Sequence, residues 1–132
     1  MAAQGRKNVH GKTGVRFKAA YTASKEKSMQ RNVVTELVVH DQVKVTSGVV
    51  KTLTKNAAKL VTLAKRGDLS ARRQAARLLR DVDAKEGQTA LQKLFDEIGP
   101  KFKSRNGGYT RAIKLGNRKG DDAEVVLVSW VD

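Results

Sequence analysis

The tripeptide Gly11-Lys12-Thr13 ends like a phosphate-binding loop, and it is where this chain comes nearest to a catalytic motif. Such a loop needs G-x-x-x-x-G-K-[ST], because its backbone amides must wrap the phosphates at the start of a helix. The first glycine would fall on position 6, which is Arg6; Gly5 misses by one, and no strand pattern precedes it. Gly107, Gly108, Gly116 and Gly120 are followed by strand-like runs, so they lack the strand–turn–helix context of a dinucleotide site. Acid–base chemistry needs carboxylates that converge. Asp81, Asp83, Asp96, Glu97, Asp121 and Asp122 fall in polar connections or near a helix end, and read as solvated acids or local ion pairs. There is no cysteine, which excludes a disulfide framework, a thiol nucleophile and a thiolate zinc site. His10 and His40 are too few for a metal site of nitrogen ligands; His40 ends an apolar run, where an imidazolium would cap a helix or meet an anionic partner. Neither an enzyme nor a cofactor, metal or small-molecule substrate is expected.

The cations offer more. Lysine and arginine number 27 against 13 acids in 132 residues, a net charge of +14, and a small protein this basic calls for a polyanion. The charge is segregated. Residues 1–31 hold eight cations and one acid, Glu26; residues 101–119 hold seven cations and no acid; Arg72, Arg73, Arg77 and Arg80 share a helix-like pattern. A solubility face or disordered tail is the alternative, but surfaces usually mix their signs and here the bias recurs in three segments. Arginine forks onto phosphate and stacks on bases, which suits RNA. Only six aromatics are present and no aromatic sheet motif appears, so shape and backbone recognition of folded RNA fits better than base stacking. Tyr109, after two glycines, could stack on a nucleotide or simply pack at a strand start. No apolar run approaches the ~20 residues needed to cross a bilayer, so no membrane partner is expected.

These groups need a scaffold. Residues 1–22 show neither helical nor strand period and read as a basic arm that orders against a partner; residues 23–132 read as one RNA-binding domain. Met29, Val33 and Leu37, widened by Val34 and Val38, predict a helix over about 24–39. QVKVT (42–46) alternates as a strand; Leu53, Ala57, Leu60, Val61 and Ala64 predict a helix over about 47–65, stopped at Gly67. Asp68 or Ser70 can cap a helix over about 69–80, and 81–88 reads as a polar connection. Thr89 and Gln92 have capping-box spacing ahead of Leu91, Leu94, Phe95 and Ile98, with an end at Gly99-Pro100. Strands at 109–115 and 124–131 make a hairpin around GNRKGDDA. The fold expected is α+β: about four helices packed on one face of a small three-stranded, mixed or antiparallel sheet, whose other face or edges meet the partner.

Three stretches carry a family resemblance. LFDEIGPKFKSRNGGYTRAIKLGNRKGD (94–121), MQRNVVTELVVHDQVKVT (29–46) and LVTLAKRGDLSARRQAARLLRD (60–81) resemble the bacterial large-subunit ribosomal protein seventeen family, over about residues 25–132. The resemblance implies an α+β fold, binding to large-subunit ribosomal RNA near the nascent-chain exit, neighbouring ribosomal proteins as partners, no catalysis, and a place in the cytoplasmic bacterial ribosome. It implies RNA-facing roles for Arg31, Arg72, Arg73, Lys101, Arg105, Arg111, Lys114, Arg118 and Lys119, with Asn32, His40, Gly107, Gly108, Tyr109 and Thr110 in the family motif. From the arm's charge, Arg6, Lys7, Lys12, Arg16 and Lys18 are added as RNA contacts. The arm departs from the family's pattern, since it opens MAAQGRKNVHGKTGVRFKAAYT. Read as a transit peptide, it would place the chain in an organelle. A free architectural or regulatory nucleic-acid-binding protein is the alternative function.

Overall fold

The structure, a computed structural model, describes residues 23–132. Helix α1 (Ala23–His40) buries Val34, Leu37 and Val38, together with Gln30 and Thr35. Met29 and Val33, placed on the stripe by their spacing, are half-buried. The helix is thus rotated by about one residue from the apolar pattern, because Thr35 has a tertiary role. Its hydroxyl donates to the Arg31 carbonyl (2.7 Å) and accepts from the Arg80 N–H (2.9 Å). Asp41 ends the helix in the left-handed region (φ 66), and its N–H donates to the Leu37 carbonyl.

Strand β1 (Gln42–Thr46) leads into α2 (Ser47–Arg66), whose stripe of Leu53, Ala57, Leu60, Val61 and Ala64 is buried as its spacing predicts. Gly67 (φ 69) closes α2 with an N–H to the Leu63 carbonyl. Asp68 caps α3 (Leu69–Leu78), its side chain accepting from the Ala71 N–H at 2.7 Å. The connection that follows is not plain loop. It folds as a short hairpin of β2 (Asp83–Lys85) and β3 (Gln88–Thr89), strands too short and polar to leave an alternation in the sequence.

The capping box at Thr89 and Gln92 opens α4 (Ala90–Lys93), which passes through a π-helical turn (Leu94–Ile98) into α5 (Gly99–Lys101). The helix therefore does not end at Gly99-Pro100, as expected, but crosses it. In an α-turn the Pro100 ring would press on the carbonyl four residues back. The wider turn, in which the Gly99 N–H donates to the Leu94 carbonyl, relieves that clash, and α-type bonding resumes at Phe102.

Gly99 also lets this helix cross α2 closely, since a Cβ there would lie 3.1 Å from the Ala64 Cβ and 3.2 Å from its carbonyl oxygen. Gly99→Ala is expected to cost about 1–3 kcal/mol through overpacking. Urea denaturation of the single variant and of Gly99→Ala/Ala64→Gly checks this. An Ala64→Gly effect that is the same in both backgrounds would show that the two residues are not in strained contact.

Strands β4 (Thr110–Asn117) and β5 (Glu124–Trp130) complete a three-stranded sheet of order β1-β5-β4, antiparallel throughout. Val126, Val128 and Trp130 face the helices and are buried, while Val125, Leu127 and Ser129 alternate to the other side. Leu115 is the extra residue of a bulge, because Lys114 pairs with Val126 and Gly116 with Val125. The Trp130 indole N–H donates to the Leu37 carbonyl (3.2 Å), tying the sheet to the end of α1. The buried Lys93 ammonium donates to the Val39 carbonyl (2.9 Å) and pairs with Asp41 (3.0 Å) at the same place.

Candidate nucleic-acid interface

The arginine-bearing helix divides its cations between two tasks. Arg73 and Arg77 are exposed one turn apart on α3 and, with Leu69, Ser70 and Gln74, line a shallow groove of about 550 Å³. Arg72 is half-buried with its guanidinium 4.7 Å from the centre of the Phe95 ring, a cation–π contact to the core. Arg80 turns inward: its Nε donates to Asn32 (2.9 Å) and its Nη2 to the Ser28 hydroxyl (2.7 Å). The Arg31 Nη2 donates to the Leu79 carbonyl (3.0 Å). Arg31, Asn32 and Arg80 therefore stitch α1 to the end of α3, where cations satisfy leftover carbonyls and the helix dipole. His40 is exposed at the end of α1.

The second group is built from α5 onward. Lys101 is exposed beside the Phe102 ring (5.4 Å), and Lys103 and Arg105 are exposed in the loop that follows. That loop is braced from within. Tyr109 is buried, its ring edge-on to Phe102 (centres 5.3 Å apart), and its hydroxyl donates to the Arg105 carbonyl (3.1 Å). The Lys65 ammonium donates to both that hydroxyl (3.1 Å) and the same carbonyl. Of the two roles open to Tyr109, packing is the one its position serves. Gly107 and Gly108 are exposed, and Gly108 adopts φ 61 to return the chain into β4. Lys65 was not singled out from the sequence; its place one turn after Val61, on the edge of the buried stripe, is the trace it leaves there.

Along β4 only Thr110 is half-buried; every residue from Arg111 to Asn117 is exposed. Arg111 and Lys114 project from this edge strand, Lys114 3.5 Å from Glu124. At the hairpin tip Arg118 forks onto Asp121, its Nε 3.1 Å from Oδ1 and its Nη2 on Oδ2. Hydrogen bonding from Arg118, supported by the Ala123 N–H, pulls the Asp121 carboxyl down to about 2. Asp121 is therefore ionised at neutral pH, and the Arg118 fork is already occupied there. Lys119 stands exposed beside it.

The expected contacts Arg6, Lys7, Lys12, Arg16 and Lys18 lie outside the described residues. Acids gather elsewhere: five fall within 81–97, around the β2–β3 hairpin and the helix that follows it, with Glu97 paired to Lys85 (2.7 Å). Among the described residues no group of three or more histidines and carboxylates is placed to hold a metal, and no helix is long and apolar enough to cross a membrane.

A family model described as Ribosomal protein L17 matches residues 29–131. The chain is 48% identical over 104 residues to "Large ribosomal subunit protein bL17" of Mycoplasma capricolum subsp. capricolum, covering 79% of this chain and 87% of that one. It is 50% identical over 104 residues to the protein of the same name from Mesoplasma florum, with the same coverage. The Shouchella clausii protein of that name is 43% identical over 116 residues, covering 86% of this chain and 97% of its own length. The braced loop, the projecting basic hairpin and the arginine-bearing helix thus sit within the matched segment, and the chain belongs to the ribosomal protein L17 family.

Proposed function

We propose that this chain is a structural constituent of the large ribosomal subunit, in the cytoplasm, which binds ribosomal RNA and holds its helices in register beside neighbouring ribosomal proteins. The family is a structural component of the ribosome and not an enzyme. The observation that carries the RNA reading is the run from residue 98 to residue 120. It holds seven cations and no acid, is exposed along β4 and the loop before it, and is anchored from below by Lys65, Phe102 and Tyr109. Cations grouped on a rigid frame repel one another unless a polyanion neutralises them, and each phosphate contact releases condensed counterions. The exposed Arg73 and Arg77 form a second contact on α3. Arg31, Asn32 and Arg80 hold α1 and α3 at a fixed angle and so act by positioning that face.

Sucrose-gradient sedimentation after a high-salt wash tests the proposal. The chain is expected to stay with large subunits, and Arg105→Ala to lower the salt slope of large-subunit RNA binding by about 0.9. Release into the free fraction together with tight binding to duplex DNA would favour the free nucleic-acid-binding alternative.

A further inference from the structure

We propose that the outer face of the sheet, the side away from the helices, seats on the minor groove of an RNA double helix. This rests on the RNA-binding reading above and names the RNA feature and the protein face that meet. The register sets the face out in rows. Gln42, Ser129 and Arg111 lie side by side in one row; Lys44, Leu127 and Ile113 in the next; Thr46 and Val125 follow, against Gly116. Ile113 is 46% exposed, and Leu115, the bulged residue beside it, 49%. None of these positions is an acid.

Each feature of that pattern matches one feature of an A-form minor groove. The groove is wide and shallow, and it displays riboses with their 2′-hydroxyls between two phosphate strands. A three-stranded sheet face, broad and without a deep ridge, fits a wide and shallow groove. The aliphatic centre, Ile113, Leu127 and Val125, would lie against the sugar C–H surface. The amide of Gln42 and the hydroxyls of Ser129 and Thr46 supply donors and acceptors for 2′-hydroxyls. Lys44 and Arg111 stand on opposite edge strands, separated by β5, so their backbones are about 10 Å apart across the sheet and their side chains can reach one phosphate strand each. A B-form DNA minor groove, about 6 Å wide, is too narrow to take a three-stranded face and lacks the hydroxyls. A protein partner would account for the aliphatic strip. With cations on both flanks and no acid among these positions, the face favours a polyanion over a protein partner, whose rim would more often mix its signs.

Hydroxyl-radical footprinting of large-subunit RNA bound to the full chain tests this, because the radical attacks the ribose hydrogens that line the minor groove. The wild type is expected to protect a matched pair of ribose runs on the two strands of one duplex. Ile113→Asp, an exposed change that places a carboxylate on the groove, is expected to abolish that pair while protections elsewhere remain. Lys44→Ala should remove one strand's share and lower the salt slope by about 0.9. If Ile113→Asp and Lys44→Ala bind RNA with every protection intact, the inference is overturned while the RNA-binding reading stands. It is equally overturned if the two variants leave RNA protection unchanged and instead lose a cross-link to a neighbouring protein in the assembled subunit. Absence of any footprint from the wild-type chain would overturn the RNA-binding reading and this inference together.

Discussion

Asp41→Ala is expected to destabilise the fold by about 4–5 kcal/mol, of which about 3 comes from stranding a buried charge, near the low end because Asp41 itself faces water. The pair is lopsided: the Lys93 side chain is 5% exposed and that of Asp41 63%. Removing Asp41 leaves a buried ammonium whose remaining partner is the Val39 carbonyl. Alanine also has to adopt φ 66, where its Cβ meets the backbone at a cost of about 1–2 kcal/mol. The two faults can be separated by urea denaturation. Asp41→Gly keeps the turn and loses the charge; Asp41→Asn loses the charge but tolerates the left-handed turn. Both should fall between the wild type and Asp41→Ala. Lys93→Met in the Asp41→Asn background should recover stability, since an apolar replacement of a buried ion pair is often neutral. A loss for Asp41→Ala no larger than the about 1–2 kcal/mol of the left-handed turn, with Asp41→Asn close to the wild type, would mean that Asp41 does not hold Lys93. The site bears on the proposed interface because the Asp41 carbonyl accepts the Trp130 backbone N–H, and the turn at Asp41 fixes where β1 enters the sheet. Loosening it loosens the platform from which Lys44 and Arg111 project.

How much of this was legible in the sequence depends on how local the cause is. The α2 stripe, the Gly67 stop, the Thr89–Gln92 capping box and the apolar run of β5 are all local, and each was readable from spacing alone. The rotation of α1 was not, because it follows from Thr35 reaching a backbone 45 positions away. The π-helical turn was hidden because Gly-Pro is read as a stop, and relief of the proline clash requires a wider turn that no residue type announces. The candidate residues divide in the same way. Cation clusters are additive and visible, so the basic run over 101–119 and the pair Arg73 and Arg77 stand where charge placed them. Whether a given arginine points outward depends on distant partners. Arg31, Asn32 and Arg80 look like surface cations and amides in sequence, yet each makes a hydrogen bond across the α1–α3 junction: Arg31 through Nη2, Asn32 through Oδ1, and Arg80 through Nε and Nη2. Tyr109 likewise gives no hint in its own neighbourhood of the Phe102 ring or the Lys65 ammonium that hold it.

The largest functional effect expected is from neutralising the exposed basic run. Replacing Lys101, Lys103, Arg105, Arg111, Lys114 and Lys119 by alanine should reduce the slope of log affinity against log salt by about 5, at roughly 0.9 per phosphate contact. A protein making six or more such contacts loses about 10³-fold or more in affinity between 50 and 200 mM salt, and the variant should lose almost none of what these residues contribute. All six are exposed, so the fold, followed by circular dichroism, should be unchanged. Net charge alone could mimic part of this effect, and the chain contains its own control. Lys51, Lys55 and Lys59 are exposed on one face of α2, spaced at one turn each, outside the acid-free run. Their replacement removes charge without touching the braced loop or β4, and should change the slope by little per residue. An equal loss per cation in both sets would mean that the RNA senses total charge and that the frame of Lys65, Phe102 and Tyr109 positions nothing. A loss confined to the first set would mean that the cations act through where the loop and the sheet edge hold them. A lysine-for-arginine exchange at Arg105 and Arg111 then separates charge from shape: the slope should stay, while affinity falls with the loss of the planar, two-pronged donor that phosphate accepts.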